Sequence, residues 1–99
     1  MNFTDEMFER ASNLYDSLNG QFPESLSLEF DCVRPRVIVR GFESDEFDSL
    51  SLSCRNENTV WGALLKNNSM QFVQGYDLDT KNFMSLGEII AEINYLFFL

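Results

Sequence analysis

Apolar residues recur at two periods along this chain, and the changes of period mark its elements. Over residues 5–19, Met7, Phe8, Ala11, Leu14, Tyr15 and Leu18 fall at three- and four-residue steps, the spacing of one helical face. Thr4 stands where an N-cap is needed, and Asp5 and Glu6 occupy the first turn, where the helix dipole favours negative charge. Phe3 and Phe8 have the spacing of a hydrophobic staple. Gly20 suits the left-handed position after a helix, and Pro23 stops any continuation.

Beyond Pro23 the period drops to two. Leu26, Leu28, Phe30 and Cys32 alternate with Ser27, Glu29 and Asp31, which predicts a half-buried strand. Residues 36–42 predict a second strand, with Val37 and Val39 on one face and Arg36, Ile38 and Arg40 on the other. Leu50, Leu52 and Cys54 alternate with serines in a third. Residues 59–65 form a fourth around Trp61, and 70–76 a fifth. Lys66, Asn67 and Asn68 read as a tight hairpin turn, because asparagine tolerates the left-handed conformation. After a loop over 77–84, the helical period returns at Leu86, Ile89, Ile90, Ile93, Leu96 and Phe97. Ser85 and Glu88 have the capping-box spacing, with Met84 and Ile89 as a second staple pair. The connections are too short for parallel crossovers. The expected fold is therefore α+β: an N-terminal helix, a five-stranded antiparallel meander, and a C-terminal helix, packed on one face of the sheet. The length, 99 residues, fits a single domain over 1–99.

Composition narrows the chemistry. Ten phenylalanines among 44% apolar residues supply a core that disordered acidic chains lack. With 16 acidic and 7 basic residues the net charge is −9, which leaves no electrostatic footprint for nucleic acid. The chain has no histidine, so serine–histidine and cysteine–histidine catalysis and histidine-ligated metals are excluded. Its five glycines are scattered and form no phosphate loop. The reading is of a protein that is not an enzyme and needs no cofactor. The acidic start has no signal-peptide pattern and no apolar run spans a bilayer, so a cytoplasmic protein is expected. Cys32 and Cys54 both fall at inward strand positions and are expected as two buried thiols.

Four groupings remain as candidates. Asp77, Asp79, Phe83, Ser85 and Glu88 overlap an EF-hand loop at ligand positions. Lys81 stands where an oxygen ligand belongs, Asn82 replaces the turn glycine, and a strand precedes the loop, so no metal site is expected. Arg34, Arg36 and Arg40 lie close to Glu29 and Asp31, which suits a cross-strand charge ladder. The C-terminal helix ends in Tyr95, Leu96, Phe97, Phe98 and Leu99, apolar on more than one side, which suggests a homodimer or partner surface. The loop of Glu43, Asp45, Glu46 and Asp48 surrounds Phe47: four carboxylates to steer a basic partner and one aromatic to anchor it.

In size, acidity and lack of catalytic residues the chain resembles the small acidic immunity proteins that neutralise cognate bacterial toxins, often cationic nucleases. That resemblance implies inhibition by occlusion of the toxin's active or substrate-binding surface. The expected partner-binding residues are Glu43, Asp45, Glu46, Phe47 and Asp48, followed by Asp77 and Asp79. Two alternatives stand beside it. One is a phage-type anti-defence protein whose carboxylates mimic DNA phosphates. The other is a structural homodimer or complex subunit.

Overall fold

The structure, a computed structural model, describes residues 3–56, 59–70 and 81–99. Helix α1 (Asp5–Leu18) opens the chain and helix α2 (Leu86–Phe97) closes it. Between them run β1 (Ser27–Asp31), β2 (Arg36–Arg40), β3 (Ser49–Ser53), β4 (Val60–Lys66), β5 (Ser69–Met70) and β6 (Asn82–Phe83). All pairings are antiparallel, in the order β1-β2-β3-β4-β5, and β6 pairs with the start of β4 as β5 pairs with its end. The fold is the α+β meander that the alternating pattern implied.

The caps form as their residues dictate. The Thr4 hydroxyl accepts the Met7 N–H at 3.3 Å, and the Phe3 and Phe8 rings meet edge to face at 6.3 Å. Gly20 takes φ +83° just after α1, a conformation glycine adopts without strain. At α2 the Ser85 hydroxyl accepts the Glu88 N–H at 3.2 Å, while the Glu88 carboxylate accepts the N–H of Met84. Met84 itself stays largely exposed. Asn67 and Asn68 have φ of 52° and 66°, the left-handed pair that a two-residue hairpin between Lys66 and Ser69 requires.

Register sets the core. Val37 lies opposite Leu52, which lies opposite Gly62; Val39 lies opposite Leu50, which lies opposite Leu64. These side chains share one sheet face with Phe83 and pack against Ala11, Leu14 and Leu18 of α1 and Ile89, Ile93 and Leu96 of α2. Gly62 gives the Phe83 ring its place, since a Cβ there would stand 2.7 Å from that ring.

Three expectations need correction. Cys32 is exposed; only Cys54 is buried. The Asp31 carboxylate accepts the N–H groups of Val33 and Arg34, which ends β1 at Asp31 and turns Cys32 outward. Phe30 is also partly exposed, on the strand that ends the order of described strands. Finally, Asn82 and Phe83 form a strand within what the pattern presents as a loop. Of the expected strand over 70–76, Met70 belongs to β5 and the rest lies outside the described residues.

Candidate functional site

The segment joining β2 to β3 is a pinned acidic loop. Its base is closed by the Gly41 and Phe42 N–H groups, which both donate to the Asp48 carbonyl at 3.1 Å. Gly41 has φ +115° and passes so close to the Ser25 carbonyl that no side chain fits. The Asp48 N–H donates to Leu65. At the tip, the Ser44 hydroxyl accepts the Glu46 N–H at 3.1 Å, and the Lys66 ammonium reaches the Ser44 carbonyl at 3.3 Å.

Phe47 does not do what the sequence suggests. It is 2% exposed, its ring lies 5.6 Å from that of Phe42, and both belong to the core. An alternation of acids with one aromatic fits a surface anchor and a buried plug equally well. Here the loop bends back, and the aromatic holds it down from within. Asp48 is likewise structural. Its carboxylate accepts the Asn67 N–H at 3.0 Å and the Ser49 hydroxyl at 2.9 Å. The Asn67 N–H lowers its pKa below the usual carboxylate value; burial opposes this, while Ser49, Lys66 and Arg40 add to it. Three of the five loop residues therefore remain as surface carboxylates: Glu43, Asp45 and Glu46 are exposed, and none is ion-paired with a described residue. Asp77 and Asp79 lie outside the described residues.

The arginines split into two groups. Arg36 binds Asp31 directly across the ladder at 2.7 Å, and Arg40 binds Glu29 diagonally at the same distance while donating to Asn68. Burial alone would raise the Asp31 pKa. The Val33 N–H, the Arg36 guanidinium and the Arg34 N–H outweigh it and hold the carboxyl below its usual value. The side chains of Arg34 and Arg55 have no ion-pair partner among the described residues. Arg55 lies 4.7 Å over the ring of Trp61.

The sheet face turned away from the helices carries a feature that the alternating pattern alone did not reveal. Ser49, Ser51 and Ser53 of the central strand point to it. Ser53 sits between Arg36 and Trp61, Ser51 between Ile38 and Ala63, and Ser49 between Arg40 and Leu65. Small side chains flanked by long ones make a floor between walls. Ser49, Ser51, Ile38 and Leu65 are all buried. The result is a cleft of about 510 Å³, bounded by Arg34, Arg36, Arg55, Trp61, Met70 and Phe3. The signal for it was in the sequence: three alternating serines on a central strand, with arginines and the single tryptophan on its neighbours.

A second, smaller cavity of about 290 Å³ lies between α1, α2 and the sheet edge, beside Arg10 and Cys54. The Arg10 Nε is buried there without a hydrogen-bond partner. Burial raises the Cys54 thiol pKa and the Arg10 charge pulls against that, so Cys54 is an inert, protonated thiol at neutral pH. At the end of α2, Tyr95, Phe98 and Leu99 are 62%, 80% and 69% exposed.

Glu88 and Lys81, two positions of the EF-hand overlap, are otherwise engaged: Glu88 accepts the Met84 N–H and Lys81 pairs with Glu92 at 3.1 Å. Among the described residues, no group of three or more potential ligands is placed to hold a metal ion, and no helix is long and apolar enough to cross a membrane. In comparisons with known proteins, no family model, no curated protein and no solved structure matches the chain.

Proposed function

We propose that this is a non-enzymatic binding protein that inhibits a larger basic partner, in the manner of an immunity protein acting on a cognate toxin. The observation that carries the reading is the acidic tip of the β2–β3 loop. Glu43, Asp45 and Glu46 stand exposed with no ion pair to a described residue, on a loop whose base is fixed by Phe42, Phe47 and three backbone hydrogen bonds. Fixed, unneutralised carboxylates lose little entropy on meeting a cationic surface. They also raise the association rate by about 10–10³ at low salt. With Phe47 in the core, the loop supplies steering and hydrogen-bond acceptors; the partner's active or substrate-binding surface is covered without an aromatic anchor from this loop. Glu43, Asp45 and Glu46 fall within four residues of one loop, a compact patch of the kind that suits an inhibitor of a protein surface.

The test pairs gene neighbourhood with kinetics. A toxin encoded beside this chain should be neutralised by it, and the triple variant Glu43→Lys, Asp45→Lys, Glu46→Lys should bind that toxin at least about tenfold more slowly at low salt. An unchanged on-rate refutes steering by this loop. A second reading, assembly of two copies, is favoured by the exposed Tyr95, Phe98 and Leu99 at the end of α2. Sedimentation decides it: a monomer at high micromolar concentration ends that reading.

A further inference from the structure

The cleft on the sheet face turned away from the helices has a chemistry that the acidic loop does not use. Its volume, about 510 Å³, lies within the range of small-molecule sites, about 300–1,000 Å³. In a chain of net charge −9, three of the described side chains that bound it are arginines, and none of the described ones is a carboxylate. Asp31 occupies only the Nε of Arg36, and Arg34 has no ion pair among the described residues. Ser51, on the floor, is 2% exposed and lines the cleft, and its hydroxyl makes no hydrogen bond with any described residue. One wall is apolar, made by Trp61, Ala63 and Met70, with the indole held under the Arg55 guanidinium.

We propose that this cleft binds a small organic anion: a carboxylate or phosphate held by Arg34, Arg36 and the Ser51 hydroxyl, carried on a flat apolar body that lies against Trp61. Guanidinium groups match both anions by paired N–H donors. The net charge decides the size of the ligand. A polyanion would be repelled by the acidic remainder of the molecule, whereas a singly or doubly charged small molecule meets mainly the local arginines. The site is distinct from the Glu43–Glu46 tip, and the proposal stands or falls apart from the function proposed for that loop.

Trp61 is the chain's only tryptophan, so its indole N–H resonance reports on this cleft alone. The wild-type protein is titrated with benzoate, phenyl phosphate and inorganic phosphate. We expect a saturable shift of that resonance by benzoate, phenyl phosphate or both, with Kd below about 1 mM. Which of the two binds more tightly assigns the anion as carboxylate or phosphate. Inorganic phosphate should bind at least about tenfold more weakly, because it lacks the apolar body. Arg34→Gln and Ser51→Ala should each weaken the better probe about tenfold. Arg34 is exposed, so its variant keeps the fold and decides the matter even if Ser51→Ala does not. No saturable shift up to about 1 mM with either aromatic anion overturns the proposal, as does unchanged affinity in Arg34→Gln. Inorganic phosphate binding as tightly as phenyl phosphate overturns the role given to Trp61.

Discussion

Phe47→Ala separates a buried plug from a surface anchor. The ring is 2% exposed and packs against Phe42 at 5.6 Å, beneath a loop whose two ends are hydrogen-bonded together. Burying a phenylalanine is worth about 1.5–3 kcal/mol in transfer alone, and truncation to alanine adds a cavity term, for a total of about 3–5 kcal/mol. A domain of this length has about 5–15 kcal/mol to lose, so the variant should forfeit about a fifth of its stability or more. With a urea slope of about 1.5 kcal/mol/M, the unfolding midpoint should fall by about 2–3 M. Equilibrium urea unfolding, followed by far-ultraviolet circular dichroism, measures this. Glu46→Ala, an exposed position whose backbone N–H to the Ser44 hydroxyl survives the change, is the control and should change stability by less than about 0.5 kcal/mol. A Phe47→Ala midpoint within about 0.3 M of the wild type would refute the buried placement and return Phe47 to the surface as an anchor.

Three further outcomes are expected. Gly62→Ala brings a methyl carbon to 2.7 Å from the buried Phe83 ring and should cost about 1–3 kcal/mol in the same urea experiment; an unchanged midpoint means the ring does not rest on Gly62. Asp48 titrates below its ordinary value of 3.8, so the unfolded chain takes up its proton first. The stability it contributes is complete above that ordinary value and is lost as pH falls through the lower folded one. Asp48→Asn should therefore lower stability by about 1 kcal/mol at neutral pH and flatten this part of the acid dependence; identical acid profiles for the two proteins contradict the assignment. In the native protein a thiol reagent should label Cys32 quickly and Cys54 only after unfolding, and fast labelling of both would disprove the burial of Cys54.

Much of the fold is readable in the chain because its local signals agree. Thr4 and Ser85 cap the two helices, Asn67 and Asn68 turn the hairpin, and the period-two runs pair in register. The pattern falls short where a residue's surroundings come from distant strands. Alternation assigns Ser49 and Ser51 to the solvent side, yet both are buried, Ser49 opposite Arg40 and Leu65 and Ser51 opposite Ile38 and Ala63. The candidate site divides the same way. The exposure of Glu43, Asp45 and Glu46 follows from their charge, which is costly to bury. The burial of Phe47 depends on Phe42 and on the closure of the loop base, and neither is a property of the six residues around it.

The Glu29–Arg40 and Asp31–Arg36 pairs lie on the outermost strand. Among the described residues β1 pairs only with β2, so no described strand takes up the backbone N–H and C=O groups of its other side. Fixed charges along such a border act as gatekeepers against edge-to-edge aggregation, because a joining strand would have to strip their hydration. Glu29 and Asp31 are paired with Arg40 and Arg36, so both carry their charge on this strand. The ladder that adds little to folding stability thus guards the molecule's shelf life in a crowded solution, and its neutralisation would be felt first as turbidity rather than as a lower melting point.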